Sequence, residues 1–492
     1  MKILVAYPPI ESGKGVPLLS QNRQFQWFNN PTYIYPMVPA SAATLLKHKG
    51  YDVHWKDGIA EKMGYAQFLD YCAQLRPDMI AFETKTPVVK SHWKFIDDLK
   101  QKLPSCKAVM FGDHVTAMPQ ETFDNSKVDY ILTGGNYDFL LLSLCDNLSG
   151  KGDLDRGIWG RDDKGDIFST GPFELNQDLN TLPFIDRDLT RWDLYSTENG
   201  NYKRLPGTYT MAGRDCWYHK CTFCSWTTIY PKYASRTPKS LLDEIGVLIE
   251  KYGVKEIMDD TGTFPVGPWL KEFCQGMIDR GYSKRVILDC NMRFGALSAE
   301  EYAMMRRAGF RFMLFGLESA NKRTLDRVNK GGLSVDKIIE SCKMASKAGL
   351  SPHITIMFGY PWEEYEDVME TVKLGCYLMK KGYAHTLQST IVIPYPGTPL
   401  FDECKKNGWL KTMDWPRYDM REPIMKTPMS DERLTEAVQA VYKVAFDPEF
   451  IMRKLASIRD ADDLKFIYRG AKAVWGHLTD FGGKKKCACE AK

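Results

Sequence analysis

Arg214-Asp215-Cys216-Trp217-Tyr218-His219-Lys220-Cys221-Thr222-Phe223-Cys224 gathers three thiols into one short run. Three thiolates at this spacing can hold three irons of a four-iron cluster and leave the fourth iron open to an outside molecule. An open iron implies chemistry as well as electron storage. Two other readings of the run stay open. Structural zinc takes four closed nitrogen or sulfur ligands, and His219, inside the first gap, is the nearby fourth. The thiols can also be unrelated, since the chain holds 13 cysteines and cysteines commonly pack as small hydrophobes.

Working outward, strand and helix segments alternate from this run to about Leu400, the pattern of a partial (β/α) barrel, in which reacting groups gather at the carboxyl ends of strands. Lys255 to Met258 ends in Asp259-Asp260-Thr261-Gly262, and Val286 to Cys290 ends in Asn291-Met292-Arg293. Phe312 to Phe315 ends in Gly316-Leu317-Glu318-Ser319, and His353 to Phe358 in Gly359-Tyr360-Pro361-Trp362-Glu363. For each alone, a surface salt bridge or a helix cap is the more common reading. Their common order after the cysteines makes them one candidate site.

From Lys2 to about Asn147, short apolar runs alternate with helical segments, the pattern of a parallel sheet covered on both faces. The expected strands are Ile3 to Tyr7, Asp52 to Lys56, Met79 to Thr84, Ala108 to Gly112 and Tyr130 to Thr133. Their ends carry Pro8-Pro9, Thr84, Thr86, Gly112-Asp113-His114-Val115-Thr116 and Gly134-Gly135, where a ligand of such a sheet would lie. A polar stretch from about Asp155 to Asn201 reads as a linker with a hairpin-like turn at Gly160 to Gly165. The expected division is 1–150, 151–200, 201–402 and a helical 403–492. That last part is aromatic but assigned to no substrate, and its Cys487-Ala488-Cys489 tail is a short charged end.

The 492 residues suggest two or three domains. The 66 basic and 62 acidic residues leave a net charge of +4, which provides no whole-protein argument for nucleic acid. No apolar stretch is long enough for a membrane span, and Met1 to Pro9 reads as a strand instead of a signal peptide. The expectation is a cytoplasmic protein with reduced thiols.

With Phe223 directly before its last cysteine, the opening run resembles the signature of the radical S-adenosylmethionine (SAM) superfamily, CxxxCxxC with an aromatic in that place. It departs by one residue, with four between Cys216 and Cys221, an insertion a loop can absorb. The resemblance implies a [4Fe-4S] cluster on Cys216, Cys221 and Cys224. It further implies Asp259 and Asp260 at the amino group of SAM, Arg293 at a carboxylate of SAM or substrate, Glu318 and Ser319 at ribose and methionine, and Gly359 at adenine. The amino-terminal order resembles the cobalamin-binding domain that precedes the radical core in one branch: Pro8-Pro9, Tyr35-Pro36-Met37-Val38-Pro39 and the Gly-x-His-Val-Thr turn at 112–116. This implies that Pro8, Thr84, Thr86, Gly112, His114, Val115, Thr116, Gly134 and Gly135 border cobalamin. A DxHxxG motif is absent here, because the glycine three places after His114 is missing, so the lower face of cobalt is expected open or water-bound. Pro394-Tyr395-Pro396-Gly397-Thr398-Pro399 is similar to the exit from the sixth strand in the same branch.

The resemblance therefore implies an α/β protein: a doubly wound Rossmann-like cobalamin domain, a partial (β/α)6 TIM-type radical SAM barrel and a mainly helical end. The implied activity is reductive SAM cleavage to a 5'-deoxyadenosyl radical, with an outside flavodoxin or ferredoxin as reductant. The most direct outcome is methylation of an unactivated carbon in a small-molecule or lipid-like substrate. Cyclisation, rearrangement or carbon–carbon bond formation is the enzymatic alternative, and a non-catalytic redox or cobalamin sensor the alternative of another class.

Overall fold

The computed structural model describes residues 1–19, 25–29 and 31–480, with side chains to residue 471, so Cys487 and Cys489 lie outside the described residues. Two parallel sheets organise the chain. The first contains β1 (Lys2–Tyr7), β2 (Asp52–Asp57), β3 (Met79–Glu83), β4 (Lys107–Phe111), β5 (Tyr130–Leu132), β6 (Ile158–Arg161) and β7 (Ile167–Ser169). Their order is β2-β1-β3-β4-β5-β6-β7. The first five pair in parallel, and β6 and β7 join antiparallel. The apolar runs of β1 and β3 are buried on both faces, as a sheet covered by helices requires. Chain direction across the sheet reverses between β1 and β3, the switch point outside which ligands of such sheets sit. The turn expected at Gly160 to Gly165 connects β6 to β7, so these residues lengthen the first sheet.

The second sheet contains β8 (Gly207–Thr210), β9 (Glu256–Asp259), β10 (Ile287–Met292), β11 (Phe310–Glu318), β12 (Ser351–Phe358) and β13 (Thr386–Ile391). All pair in parallel in chain order, giving the six-stranded partial barrel. Residues on one parity, such as Ile257, Cys290, Phe315 and Ile354, pack outward into the main core with the surrounding helices. The other parity faces the barrel interior, because successive side chains of a strand alternate. Toward the base, Arg311 donates to Glu256 Oε1 (2.6 Å) and Asp289 Oδ2 (2.7 Å), and both carboxylates are fully buried.

Beyond residue 403 the chain serves both sheets. Leu434, Val438 and Val441 of the helix Asp431–Tyr442 complete the barrel core. Trp415, Tyr418, Met420 and Ile424 instead pack with Phe82, Trp93 and Val115 of the first sheet. The Pro-Gly-Thr-Pro exit has two local jobs. Thr398 caps the helix Pro399–Lys406 by accepting from Phe401 N–H at 3.2 Å. Gly397 has φ +82° and leaves no room for a Cβ, which would sit 2.5 Å from Thr228 and 2.7 Å from Ala117. Thr228 follows the cysteine run and Ala117 follows β4, so this glycine lets the two sheets' segments meet. Among the described residues, no helix is long and apolar enough to cross a membrane.

Candidate functional site

Cys216, Cys221 and Cys224 line one cleft at the carboxyl ends of β8 to β13, enclosing about 1480 Å³ including its mouth. The cysteine loop is fixed to β9: Gly262 N–H donates to Asp215 O at 3.1 Å, and Cys216 Sγ lies 2.9 Å from Thr263 Oγ1. Its far side is held by Thr222, whose N–H donates to Val328 O (3.2 Å) and whose carbonyl accepts from Leu400 N–H (2.9 Å). Burial pushes the Cys221 thiol upward in pKa, opposed by Lys330 and Arg293. Among the described residues, no three His, Cys, Asp or Glu converge as ligands of a single ion. A closed zinc site asks for such convergence, whereas a cluster takes one thiolate per iron.

The additional residue in the first gap has a visible accommodation. Asp215 (φ 70°) and His219 (φ 46°) both adopt left-handed backbone, and the Asp215 carboxylate binds His219 Nδ1 across the turn. Between them, Trp217 Nε1–H donates to Phe264 O (3.1 Å) and Tyr218 O–H to Asn329 O (2.6 Å). The Tyr218 ring carries the Arg293 guanidinium at 3.8 Å.

Parity separates the residues assigned to SAM. Asp260, Arg293 and Glu318 line the cleft, as does Phe223. Asp259 is outside the lining: its carboxylate accepts from Thr210 Oγ1–H (3.0 Å), Ala212 N–H (2.8 Å) and Thr261 N–H (3.1 Å). The expected pair of adjacent carboxylates is thus one structural and one cleft residue. Arg293 Nη2–H donates to Gly331 O at 2.9 Å, while its buried Nη1 has no protein partner. Glu318 pairs with Lys330 at 2.6 Å. Ser319 and Gly359 do not line the cleft. Ser319 Oγ–H donates to Glu363 Oε1 at 2.7 Å, and the position of a Gly359 Cβ lies 3.0 Å from Leu434.

The first-sheet residues form a separate, closed group, none of which lines the cleft. Pro8, Thr84, Thr86, Gly112, His114 and Val115 are buried. His114 shares its Nδ1 with Thr86 Oγ1 and its Nε2 with Glu121, both at 3.2 Å, and meets the Trp415 ring edge-on. Thr84 Oγ1 is bonded to His92 Nδ1 (2.7 Å), and Thr116 Oγ1 bridges Gly112 O and Gly134 N–H. Gly134 and Gly135 are needed for close approach, but the approaching groups are the rings of Phe173 and Tyr230. The same turn receives Arg214, whose guanidinium pairs with Asp138 at 2.8 Å and donates to Asn136 Oδ1 at 3.1 Å.

The sequence reading missed part of the cleft wall. Tyr209, His353, Thr355 and Gln388 face inward, as does Asn291 of the β10 end named above, and all are uncharged hydrogen-bonding groups. His353 is bonded through Nδ1 to Thr386 Oγ1 at 2.8 Å, and burial lowers its pKa to about 4. Its place two residues before Thr355 on β12 was the available signal, because inward positions recur with period two. Lys330 follows no strand end and carried no such signal.

Residues 212–375 match the model of the radical SAM superfamily, so the chain carries a radical SAM domain. An "uncharacterized methyltransferase" of Pyrococcus horikoshii is 26% identical over 452 residues, spanning 90% of this chain and 92% of that protein. The anaerobic magnesium-protoporphyrin IX monomethyl ester cyclase of Rubrivivax gelatinosus is 25% identical over 475 residues, 90% of this chain and 82% of the other. The fold is that of the radical SAM methyltransferase TsrM from Kitasatospora setae, solved with cobalamin and a [4Fe-4S] cluster. That comparison gives a TM-score of 0.69 and 15% identity over 98% of this chain and 99% of TsrM. The cobalamin-dependent radical SAM enzyme OxsB, solved with aqua-cobalamin and SAM, superposes with a TM-score of 0.71 at 14% identity, over 97% and 71% of the two chains.

Proposed function

We propose that this radical SAM domain works in a cobalamin-dependent C-methyltransferase that modifies an unactivated carbon of a small-molecule or lipid-like substrate, with a flavodoxin or ferredoxin as reductant and the cytosol as its place. The observation that carries the reading is one cleft holding three cysteines, Asp260, and an arginine whose buried Nη1 lacks a protein partner.

These residues fit a cluster with bound SAM. Cys216, Cys221 and Cys224 would hold three irons, Asp260 would accept from the ammonium group of SAM, and Arg293 Nη1–H would donate to its carboxylate. When bound, the cluster supplies the electron that breaks a carbon–sulfur bond of SAM, and cobalamin supplies a methyl group. The protein's own part is placement and exclusion of water. Tyr218 stacks under Arg293 and so fixes the guanidinium plane. Lys330 neutralises Glu318, and Asp260 is the cleft carboxylate assigned to the amine. The neutral wall of Tyr209, His353, Thr355 and Gln388 favours an uncharged part of the substrate beside the reacting atoms.

Cobalamin meets a more closed site. His114 has both ring nitrogens bonded within the protein. Residues 412–424 cover the carboxyl ends of β3 and β4 through Trp415 and Tyr418, so a corrin would reach them only with that strap displaced.

Methyl-labelled SAM, given anaerobically to reconstituted protein with reductant and an extract of the source cells, tests the reading. Label on an extract compound, with 5'-deoxyadenosine and S-adenosylhomocysteine, is expected. Deoxyadenosine with all label left in methionine would turn the assignment toward ring formation, the chemistry named for the cyclase relative. Absence of any SAM cleavage would sink both.

A further inference from the structure

A loop that must present three sulfurs to one cluster needs its ends fixed, because groups on loops are held less precisely than groups on strands or helices. The cysteine run lies between the two-residue strand Gly213–Arg214 and the four-residue helix Trp226–Ile229. Its middle is tied to β9 at Asp215 and to Val328 and Leu400 at Thr222. Its two flanks converge on another place, the turn that follows β5 in the first sheet. Before the run, Arg214 Nη1–H donates to Gly135 O at 3.3 Å. After the run, Tyr230 O–H donates to the same oxygen at 3.2 Å.

The receiving turn is itself anchored. Gly134 N–H donates to Thr116 Oγ1 at 3.0 Å, and Thr116 O–H to Gly112 O at 2.7 Å, at the end of β4. Asp138 lies in the first turn of the helix Tyr137–Leu148. Its carboxylate accepts from Arg214 Nη2–H at 2.8 Å and from Ser41 O–H, on the helix Met37–His48, at 2.9 Å. Asn136 Oδ1 accepts from Arg214 Nη1–H at 3.1 Å. Ser41, Asn136, Asp138, Arg214 and Tyr230 are all buried. Gly135 is required for the approach, since a Cβ there would lie 2.0 Å from the Tyr230 ring. A buried ion pair adds little net stability over apolar packing of the same volume. Its distinctive contribution is direction, because a guanidinium presents its donors in one rigid plane.

We propose that Arg214 and Tyr230 are positioning residues of the cysteine loop, and that the turn 135–138 of the first sheet is the fixed point from which they hold Cys216, Cys221 and Cys224 in register for the cluster. This rests on the reading of those cysteines as cluster ligands. Its consequence is that a substitution in the first sheet's turn, far from the cysteines in the chain, alters the cluster carried by the second sheet.

The test is the rate at which reconstituted protein loses its cluster to excess ethylenediaminetetraacetate, followed by absorbance. The electron paramagnetic resonance spectrum of the reduced cluster is recorded in parallel, with and without SAM. Tyr230→Phe removes the O–H and keeps the ring, and should speed cluster loss roughly two- to tenfold, the range of one hydrogen bond. Asp138→Asn and Arg214→Met should each speed it by roughly tenfold or more, the double variant being no faster than Arg214→Met because the two residues share one interaction. All three single variants should change the spectrum seen with SAM. Tyr442→Phe is the matched control: it removes another buried O–H bonded to a carbonyl, Ser389 O at 3.2 Å, and should lose its cluster at the wild-type rate. Wild-type rates and spectra in Tyr230→Phe and Asp138→Asn would overturn the proposal, as would equal acceleration in Tyr442→Phe. A wild-type chain that takes up no cluster would defeat the cluster assignment itself, and the proposal with it.

Discussion

Asp259 and Asp260 are neighbours of identical chemistry on opposite faces of the β9 end, and substituting each by alanine separates a structural role from a binding one. Asp259→Ala removes the acceptor of three hydrogen bonds, from Thr210, Ala212 and Thr261, and leaves those donors in a buried place. A bond to a charged acceptor is worth about 1.5–3 kcal/mol, and such losses within one network are not additive, so a cost of about 3–5 kcal/mol is expected. For a barrel-sized domain this lowers the thermal midpoint by roughly 6–20 °C. Asp260→Ala removes a group that faces the cleft, while its backbone N–H bond to Thr210 O stays. Loss of one charge-assisted contact to the ammonium group should weaken SAM binding roughly ten- to a hundredfold. Equilibrium dialysis of SAM against cluster-reconstituted protein and a thermal melt read the two effects separately. Weakened SAM binding in Asp259→Ala without a drop in midpoint, or unchanged affinity in Asp260→Ala, would refute the parity argument.

Cys221→Ala should abolish the cluster's absorbance and all 5'-deoxyadenosine formation, while corrinoid binding to the first sheet persists; residual deoxyadenosine would contradict the cluster assignment. Glu363 has its pKa raised by burial from 4.5 to about 7, so its protonated form is the one the fold favours. Its contribution is complete below about pH 4.5 and is lost as pH rises through 7, on the order of 3 kcal/mol in all. Glu363→Gln keeps the acceptor for Ser319 and should flatten the fall in stability across that window, measured by denaturant titrations at several pH values; an unchanged slope would assign the titration elsewhere. The strap over the first sheet is tied by Lys14 to Asp419 (2.5 Å) and to Pro416 O (3.1 Å). Asp419→Ala should speed uptake of aquocobalamin by roughly two- to fivefold, the range of one partly exposed ion pair; an unaltered rate in stopped-flow absorbance would show that the strap does not gate the site.

The spacing of the three cysteines, the aromatic Phe223, the alternation of apolar strands and the order of the polar strand ends are local properties, and each was legible in the chain without coordinates. So was the α/β class, because period-two apolar runs separated by helical segments leave few other ways to bury a core. What the sequence could not settle is which side of a strand end faces the cleft. Adjacent residues such as Asp259 and Asp260 are chemically alike, and only the register of β8, β9 and β10 turns one toward Thr210 and the other toward the cysteines. The same holds for His353, Thr355 and Gln388, whose importance comes from sharing an interior with residues far away in the chain. Gly134 and Gly135 read as a ligand turn, yet Phe173 and Tyr230 fill the space above them, a contact between segments distant in sequence.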